Sequence, residues 1–438
     1  MAGTAFRFIH SSDFHLEQPL HGVTEVPRHL HELFLDAAIS AAERVFEAAV
    51  AERVDFVCLT GDLVHVGRGG PRALSFLHNQ FLRLEKEGIA VYWSGGEQEM
   101  TRMWPGAVPL PANVTLIDQL RPQHHWHRRG ETLLARITGR AWSPDERFSD
   151  LAIPATEEPV FGIAMLHGDF SGKQLNDTSV DYWALGGRHQ PQTIKGAHGK
   201  AHYSGTPQGR EPTDVGPHGC TLVDVDKSGG ATLRTIHTDV ARWYDEQFTL
   251  DDDADKEWLL REMRVRSRRL LDGASGRQLL VSWSVFDGDQ LKDTKSDELA
   301  AQLREQGLAM EVLKSVRADF GQSTPGLWSV CFRAEPPAVL PAGWYQEETI
   351  LGDLLRMIQS YQTDDTAPID LTTWAEGMPL EGSLREALRV TDPGERQRLL
   401  RRVAVLGVDI LRGDRILSDE ASEMSWLRGS AATGASEE

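Results

Sequence analysis

Cysteine is scarce in this 438-residue chain: Cys58, Cys220 and Cys331 are an odd number, stand far apart, and each lies in an apolar, strand-like run. That excludes a disulfide scaffold and fits buried, reduced thiols in a cytoplasmic protein. No apolar run approaches the roughly 20 residues that a bilayer-spanning helix needs, so no membrane partner is expected. The start, MAGTAFRFIH, lacks the basic region, apolar stretch and small-residue site of a secretory signal. Positive charge is short as well, with 46 Lys and Arg against 65 Asp and Glu and a net charge of -19. Phosphate contacts require Lys and Arg, so a surface that binds nucleic acid everywhere is excluded and any such contact is local. Hydrophobic residues at 40% and charged residues at 25% are ordinary for a soluble globular protein. The length predicts two or three folded units.

The first half alternates short apolar runs with amphipathic stretches. Phe6 to Ser11, Phe56 to Thr60 and Ala90 to Ser94 read as strands, and Pro27 to Arg53 and Pro71 to Lys86 as the helices between them. Strands then dominate: Leu133 to Thr138, Phe161 to Leu166, Asp181 to Leu185, Cys220 to Val225 and Thr232 to Thr238, separated by Gly, Pro and Asp turns. From Tyr244 the pattern changes to a basic helix at Lys256 to Leu271, a strand at Leu279 to Val285, two helical pieces broken at Gly307, and a strand at Leu327 to Phe332. Glu335 to Pro341 is Pro-rich and reads as a linker. Beyond it, Ile350, Leu351, Leu354, Leu355 and Ile358 recur at helical spacing, as do Leu399, Leu400, Val403, Leu406 and Ile410 after the N-cap signal Thr391-Asp392-Pro393. The predicted units are 1–243, 244–335, a linker and helical partner-binding segment at 336–417, and a disordered tail at 418–438. No internal repeat is visible.

Sixteen histidines accompany the carboxylates, and their positions matter more than their number. Hydrolysis of a phosphodiester needs an activated nucleophile and neutralised charge, which two metal ions about 4 Å apart supply. Asp13 and His15 in HSSDFHL follow the first strand. Asp62 and His65 in LTGDLVH follow the second, with Gly61 permitting a tight turn; His167 in MLHGDFSG and His189 in YWALGGRHQPQ end later strands. Singly, each is more often a chance surface pair or loop histidine. As an ordered set at the carboxyl ends of apolar strands, where open α/β sheets put their ligands, they point to one site.

The order Asp-x-His, Gly-Asp-Leu-x-His, a Gly-Asn-His-acid position, His-Gly and Gly-His-x-His resembles the calcineurin-like metallophosphoesterases. HSSDFHLEQPL with GDLVH and YSGTPQGR…GPHGCTLVDVD is similar to their DNA double-strand-break repair exonuclease branch, the bacterial SbcD type. The resemblance covers residues 5–240 strongly and extends more weakly to about 335. It implies an α/β fold, a four-layer αββα sandwich with a small α+β capping domain and a C-terminal helical segment. It also implies manganese, DNA ends as substrate, a coiled-coil ATPase of the SbcC type as partner, and a homodimer. Carried over by position, the first metal takes Asp13, His15, a bridging Asp62 and His189, all present. The second takes Asp62, His167 and two positions that have changed. Glu97 stands for the Asn and Gly187 for a His, while Gln98 replaces the motif histidine and cannot shuttle a proton. One manganese site is therefore expected intact and the second impaired. His65 is retained near the substrate phosphate. His198 and His202 are discounted as surface histidines, and Trp93, Trp183 and Trp328 as core residues. In the Arg-rich helix, Arg264 and Arg268 are the candidate DNA contacts, with a solvated face as the plainer reading.

Three functions follow. The first is a manganese exonuclease with weakened hydrolysis, the second a non-catalytic end-recognition or scaffold subunit, the third a small-substrate phosphoesterase. The predicted cap and helical tail speak against the last.

Overall fold

In the computed structural model, residues 4–68, 70–99, 104–106, 108–143, 160–250, 253–286, 299, 302–303, 306–334, 340, 342–363, 369–370, 389–390 and 393–412 are described. The predicted linker falls mostly outside them, and the Thr391-Asp392 cap and the 418–438 tail do so entirely. The chain divides into two compact units. One comprises Met1–Asp245 with Leu270–Val281 and Gln322–Val330; the other comprises Glu246–Arg269, Ser282–Gly321 and everything from Cys331.

Strands that are apolar along their whole length need both faces covered. Covered on both faces in this way are β1 (Phe6–Ser11), which also carries Arg7, His10 and Ser11, β2 (Phe56–Thr60) and β3 (Ala90–Ser94), which pair in parallel at the centre of a six-stranded sheet. Its order is β12-β11-β1-β2-β3-β4, adding β4 (Val114–Ile117), β11 (Gly219–Val225) and β12 (Ala231–His237). The second sheet runs β5-β6-β7-β8-β10-β9, formed by β5 (Gln123–Arg129), β6 (Thr132–Gly139), β7 (Phe161–His167), β8 (Tyr182–Gly186), β9 (Gln192–Ile194) and β10 (Lys200–Tyr203).

Helix α1 (His31–Ala51) buries Phe34, Ala38, Ala41, Val45 and Ala49, spaced three or four apart, and α2 (Gly70–Lys86) buries Ala73, Leu77, Phe81 and Leu84. These faces share a core with Ile9, Val57, Val91 and Trp93 of the first sheet. Its other face meets the second sheet through Phe8, Phe56, Tyr92, Ile137, Ile163, Met165 and Tyr182. There the Phe8 and Phe56 rings stack at 4.9 Å between centroids. Phe170, Leu175 and Val180 of the segment after β7 cover the outside of the second sheet around Trp183.

Two buried histidines inside this sandwich are paired through both ring nitrogens. His10 reaches the Tyr182 hydroxyl at 3.0 Å and Thr60 Oγ1 at 3.1 Å. His202 is not the surface histidine expected: it is 7% exposed and bonds Thr193 Oγ1 and Thr221 Oγ1, both at 3.0 Å. Those two threonines belong to different sheets, so the imidazole serves as a cross-brace. Trp93, Trp183 and Trp328 are buried as expected.

In the region expected to form the cap, β13 (Ala241–Thr249), β14 (Gln278–Phe286) and β15 (Leu327–Ala334) make a three-stranded sheet. Helix α3 (Lys256–Asp272) accompanies it, and α4 (Gln306–Phe320) holds Gly307 within its first turn rather than breaking there. On α3, Arg264 donates to Asp319 at 2.7 Å, Arg266 pairs with Glu262 and Glu246, and Arg269 with Glu246. Arg268 is exposed and, among the described residues, makes no ion pair. The last helices, α5 (Ile350–Thr363) and α6 (Pro393–Arg412), bury Leu351, Leu355 and Ile358 against Leu400, Ala404, Val405 and Val408. They satisfy part of each other's apolar stripe, while Ile350, Leu406 and Ile410 stay exposed.

Candidate metal centre

The loops after β1 and β2 run side by side. Asp13 N–H donates to Gly61 O at 3.0 Å, His15 N–H to Asp62 O at 3.0 Å and Leu16 N–H to Leu63 O at 3.1 Å. Asp13, His15 and Asp62 all adopt left-handed backbone, with φ of 56°, 45° and 55°. Non-glycine residues rarely do so, and such conformations cluster where side chains must be aimed at a site. Gly61 lets the loops close: a side chain there would begin 2.6 Å from both Gly96 Cα and His167 Nδ1.

One buried carboxylate organises this backbone. Glu99 accepts N–H bonds from Asp62 at 2.8 Å, Gly96 at 2.9 Å, Leu63 at 2.7 Å and Val64 at 3.2 Å. Burial and the Asp62 charge push its pKa up to about 7, while the four N–H donors favour the ionised form.

Two groups of donors converge. Ligand atoms of Asp13, His15 and His189 lie within 4.8 Å of one another, and so do those of Asp13, Asp62 and His167. Asp13 is common to both, where the family order makes Asp62 the bridge. Asp62 Oδ2 nevertheless faces imidazoles of both groups, 3.5 Å from His167 Nε2 and 4.0 Å from His15 Nε2. The Asp13 carboxylate is aimed by Ser12 Oγ at 2.5 Å and by Gly187 N–H at 3.0 Å. Thr60 O fixes His167 through Nδ1 at 2.8 Å. Although burial disfavours charge on either, attraction to Asp62 pushes the His167 pKa up to about 10 and holds the Asp62 pKa well down.

His15 is the clearest sign that these residues are arranged for a cation. Both its ring nitrogens are buried with no hydrogen-bond partner, and burial together with the Arg210 charge holds its pKa well below the usual range. An unpaired polar atom in the interior is costly, and a neutral imidazole is what a metal requires. Oxygen and imidazole donors with no thiolate suit a divalent transition ion. The residues therefore fit the metal.

The profile of the calcineurin-like phosphoesterases matches residues 6–258. The chain belongs to this family. It is also 30% identical over 238 residues to the uncharacterized metallophosphoesterase YhaO of Bacillus subtilis (strain 168). That match covers 51% of this chain and 58% of the relative, less than two thirds of its length.

At the positions where this phosphoesterase departs from the family order, the backbone keeps part of the work. Gln98 N–H donates to Asp62 Oδ1 at 2.8 Å, a bond independent of its side chain. Gly187 N–H serves Asp13, and a side chain at Gly187 would begin 3.3 Å from His167 Nε2 from backbone at φ 102°. Glu97 is half-buried and belongs to neither donor group. His65 has its N–H held by Glu17 at 3.0 Å and its Nδ1 buried without a partner.

Several contributors escaped sequence reasoning. Arg210, 4% exposed, donates to His189 Nε2 at 2.9 Å and also bonds Gln18. Asp214 holds the other ring nitrogen of His189, Nδ1, at 3.4 Å and accepts the backbone N–H of Arg210 at 2.8 Å. A guanidinium thus sits against a candidate ligand of the half that looked untouched. Its only sequence signal is the QGR of the quoted YSGTPQGR motif.

Proposed function

We propose that this phosphoesterase hydrolyses phosphodiesters at DNA ends in the manner of an SbcD-type exonuclease subunit, with turnover lowered by the residues at 97, 98 and 187. The observation that carries this reading is the convergence of Asp13, His15, Asp62, His167 and His189 into two donor groups sharing Asp13. Manganese suits such donors, the Asp13, His15 and His189 group holding it more firmly than the Asp62 and His167 side once Arg210 gives up His189 Nε2.

Asp13, His15, Asp62, His167 and His189 would hold divalent ions, whose chemistry there would be neutralisation of phosphoryl charge and acidification of water. The chain's own groups do the rest. Asp214 and Thr60 O fix the rings of His189 and His167, and Ser12 and Gly187 N–H hold Asp13 in place. Half-buried His65, on the loop after β2, is the imidazole left to meet the phosphate or the leaving oxygen, a task for which Gln98 has no titratable group. Arg268, together with Arg264, would contact the DNA backbone, and the exposed stripe of α5 and α6 would dock a coiled-coil ATPase of the SbcC type.

The test is digestion of linear DNA in manganese by the full chain and by Asp62→Asn. Nucleotide release that falls at least ~100-fold in the variant supports the reading, since even partners outside the ligand set cost about 10- to 100-fold. Equal release by both would refute it. A second reading, an end-binding subunit without hydrolysis, is favoured by the Arg210 guanidinium on His189 Nε2. It predicts tight DNA-end binding with no manganese-dependent release from either protein.

A further inference from the structure

Beside the candidate metal centre, with His167 of the donor set in its lining, lies a cavity of about 250 Å³. Its lining includes Trp142, Leu166, Phe170, Gln174 and Arg140, and its inner wall is His167 itself. The two aromatic residues frame one narrow space. The point where a Gly168 side chain would begin is 3.6 Å from the Phe170 ring and 3.8 Å from the Trp142 ring. Gly168 therefore forms a bare floor between them. Both walls are anchored by backbone: Trp142 N–H donates to Gly95 O at 2.9 Å, and Phe170 N–H to the Tyr203 hydroxyl at 2.9 Å. The same hydroxyl donates to Gly168 O at 2.9 Å. At the polar side, Gln174 Oε1 is used by Ser171, whereas its Nε2 donor takes no partner among the described residues.

We infer that this cavity receives an unstacked nucleobase next to the scissile phosphate, so that DNA is engaged at frayed or single-stranded termini. The inference rests on the phosphodiesterase reading for the place of the phosphate. The volume is below the ~300 Å³ at which pockets for larger organic ligands begin, so it suits one ring system and cannot admit a duplex. A paired base is stacked and must leave the helix to enter such a slot. Aromatic side chains lining a slot of this size can stack on any base through its π face, and the Gln174 amide donor meets the carbonyl or ring nitrogen of its edge. His167 links base and chemistry: it lines the cavity and stands 3.5 Å from Asp62.

The test uses the full chain and two internally labelled single-stranded oligonucleotides, identical except that one carries abasic residues at both ends. Binding is read by fluorescence anisotropy and hydrolysis by product release, both in manganese. The intact strand should bind ~10-fold or more tightly than the abasic one, the usual scale for loss of one stacked base. Trp142→Ala should abolish that difference and Trp142→Phe should keep most of it. Equal binding of both strands by the unmodified protein overturns the inference even if a variant fails to fold. Equal binding with manganese-dependent hydrolysis of both strands sinks the pocket alone. A clear preference for the intact strand with no hydrolysis of either sinks the phosphodiesterase reading and leaves the pocket standing.

Discussion

Replacing Glu99 with Gln changes one oxygen to an amide nitrogen and almost nothing in volume. Each Glu99 oxygen accepts two backbone N–H groups, Oε1 from Leu63 and Val64 and Oε2 from Asp62 and Gly96. Glutamine keeps one carbonyl oxygen and turns an NH2 donor toward the other two donors. Two buried N–H groups then lose their partner, at about 1–3 kcal/mol each, or roughly 2–6 kcal/mol for the pair. For a unit of this size 1 kcal/mol moves the melting temperature by about 2–4 °C, so a fall of roughly 4–24 °C is expected. Thermal unfolding of metal-free Glu99→Gln against the unmodified chain is the assay. Manganese titration of the same pair should show weaker binding, because the loop aiming Asp62 has lost its anchor. A melting temperature within about a degree, with unchanged manganese affinity, would refute the idea that this carboxylate organises the centre.

Restoring the family pattern with Glu97→Asn, Gln98→His and Gly187→His should tighten the second manganese and raise nuclease activity. The histidine at 187 must sit at φ 102°, so the triple variant should also melt lower than its parent; a variant with parental manganese stoichiometry and activity would refute the ligand assignment. Burial, then the Lys200 charge, push the His202 pKa down to about 4. The unfolded chain binds that proton more readily, so stability should fall as pH drops from about 6.5 toward 4, by up to about 1.4 kcal/mol per unit. His202→Gln should flatten that limb in pH-dependent denaturant unfolding, and an unchanged slope would show that another group sets it. Arg268→Glu should weaken DNA-end binding and reduce its salt dependence without moving the melting temperature. Arg264→Glu should also lower stability by breaking the Asp319 pair, and equal affinities with equal salt slopes would leave α3 as a solvated face.

The central strands were legible because burial on both faces demands continuous apolar runs, as in Phe56–Thr60 and Phe161–His167. Of the four edge strands of the two large sheets, β12 was legible as Thr232 to Thr238 and three were not. β4, β5 and β9 lie at sheet edges with half-exposed faces, and a run such as QHHWHRR carries no period-two pattern of apolar residues. β10 was missed for another reason: its buried His202 is satisfied by threonines that only folding brings near. The candidate donors that converge, Asp13, His15, Asp62, His167 and His189, were readable in the sequence because each stands at or within a few residues of a strand end. Glu99 and Arg210 were not, since their work is done on backbone N–H groups and on an imidazole 21 residues away in sequence. The stripes of α5 and α6 were readable as helices, but which part of each faces the other helix depends on how the two pack.

Anomalous scattering at the manganese edge, from crystals of the full chain grown in low millimolar manganese, tests the account most directly. The expected result is a strong peak among Asp13, His15 and His189 and a weaker one among Asp13, Asp62 and His167. Absence of any peak in this cluster would contradict the metal centre itself, and two fully occupied ions would contradict the impaired second half.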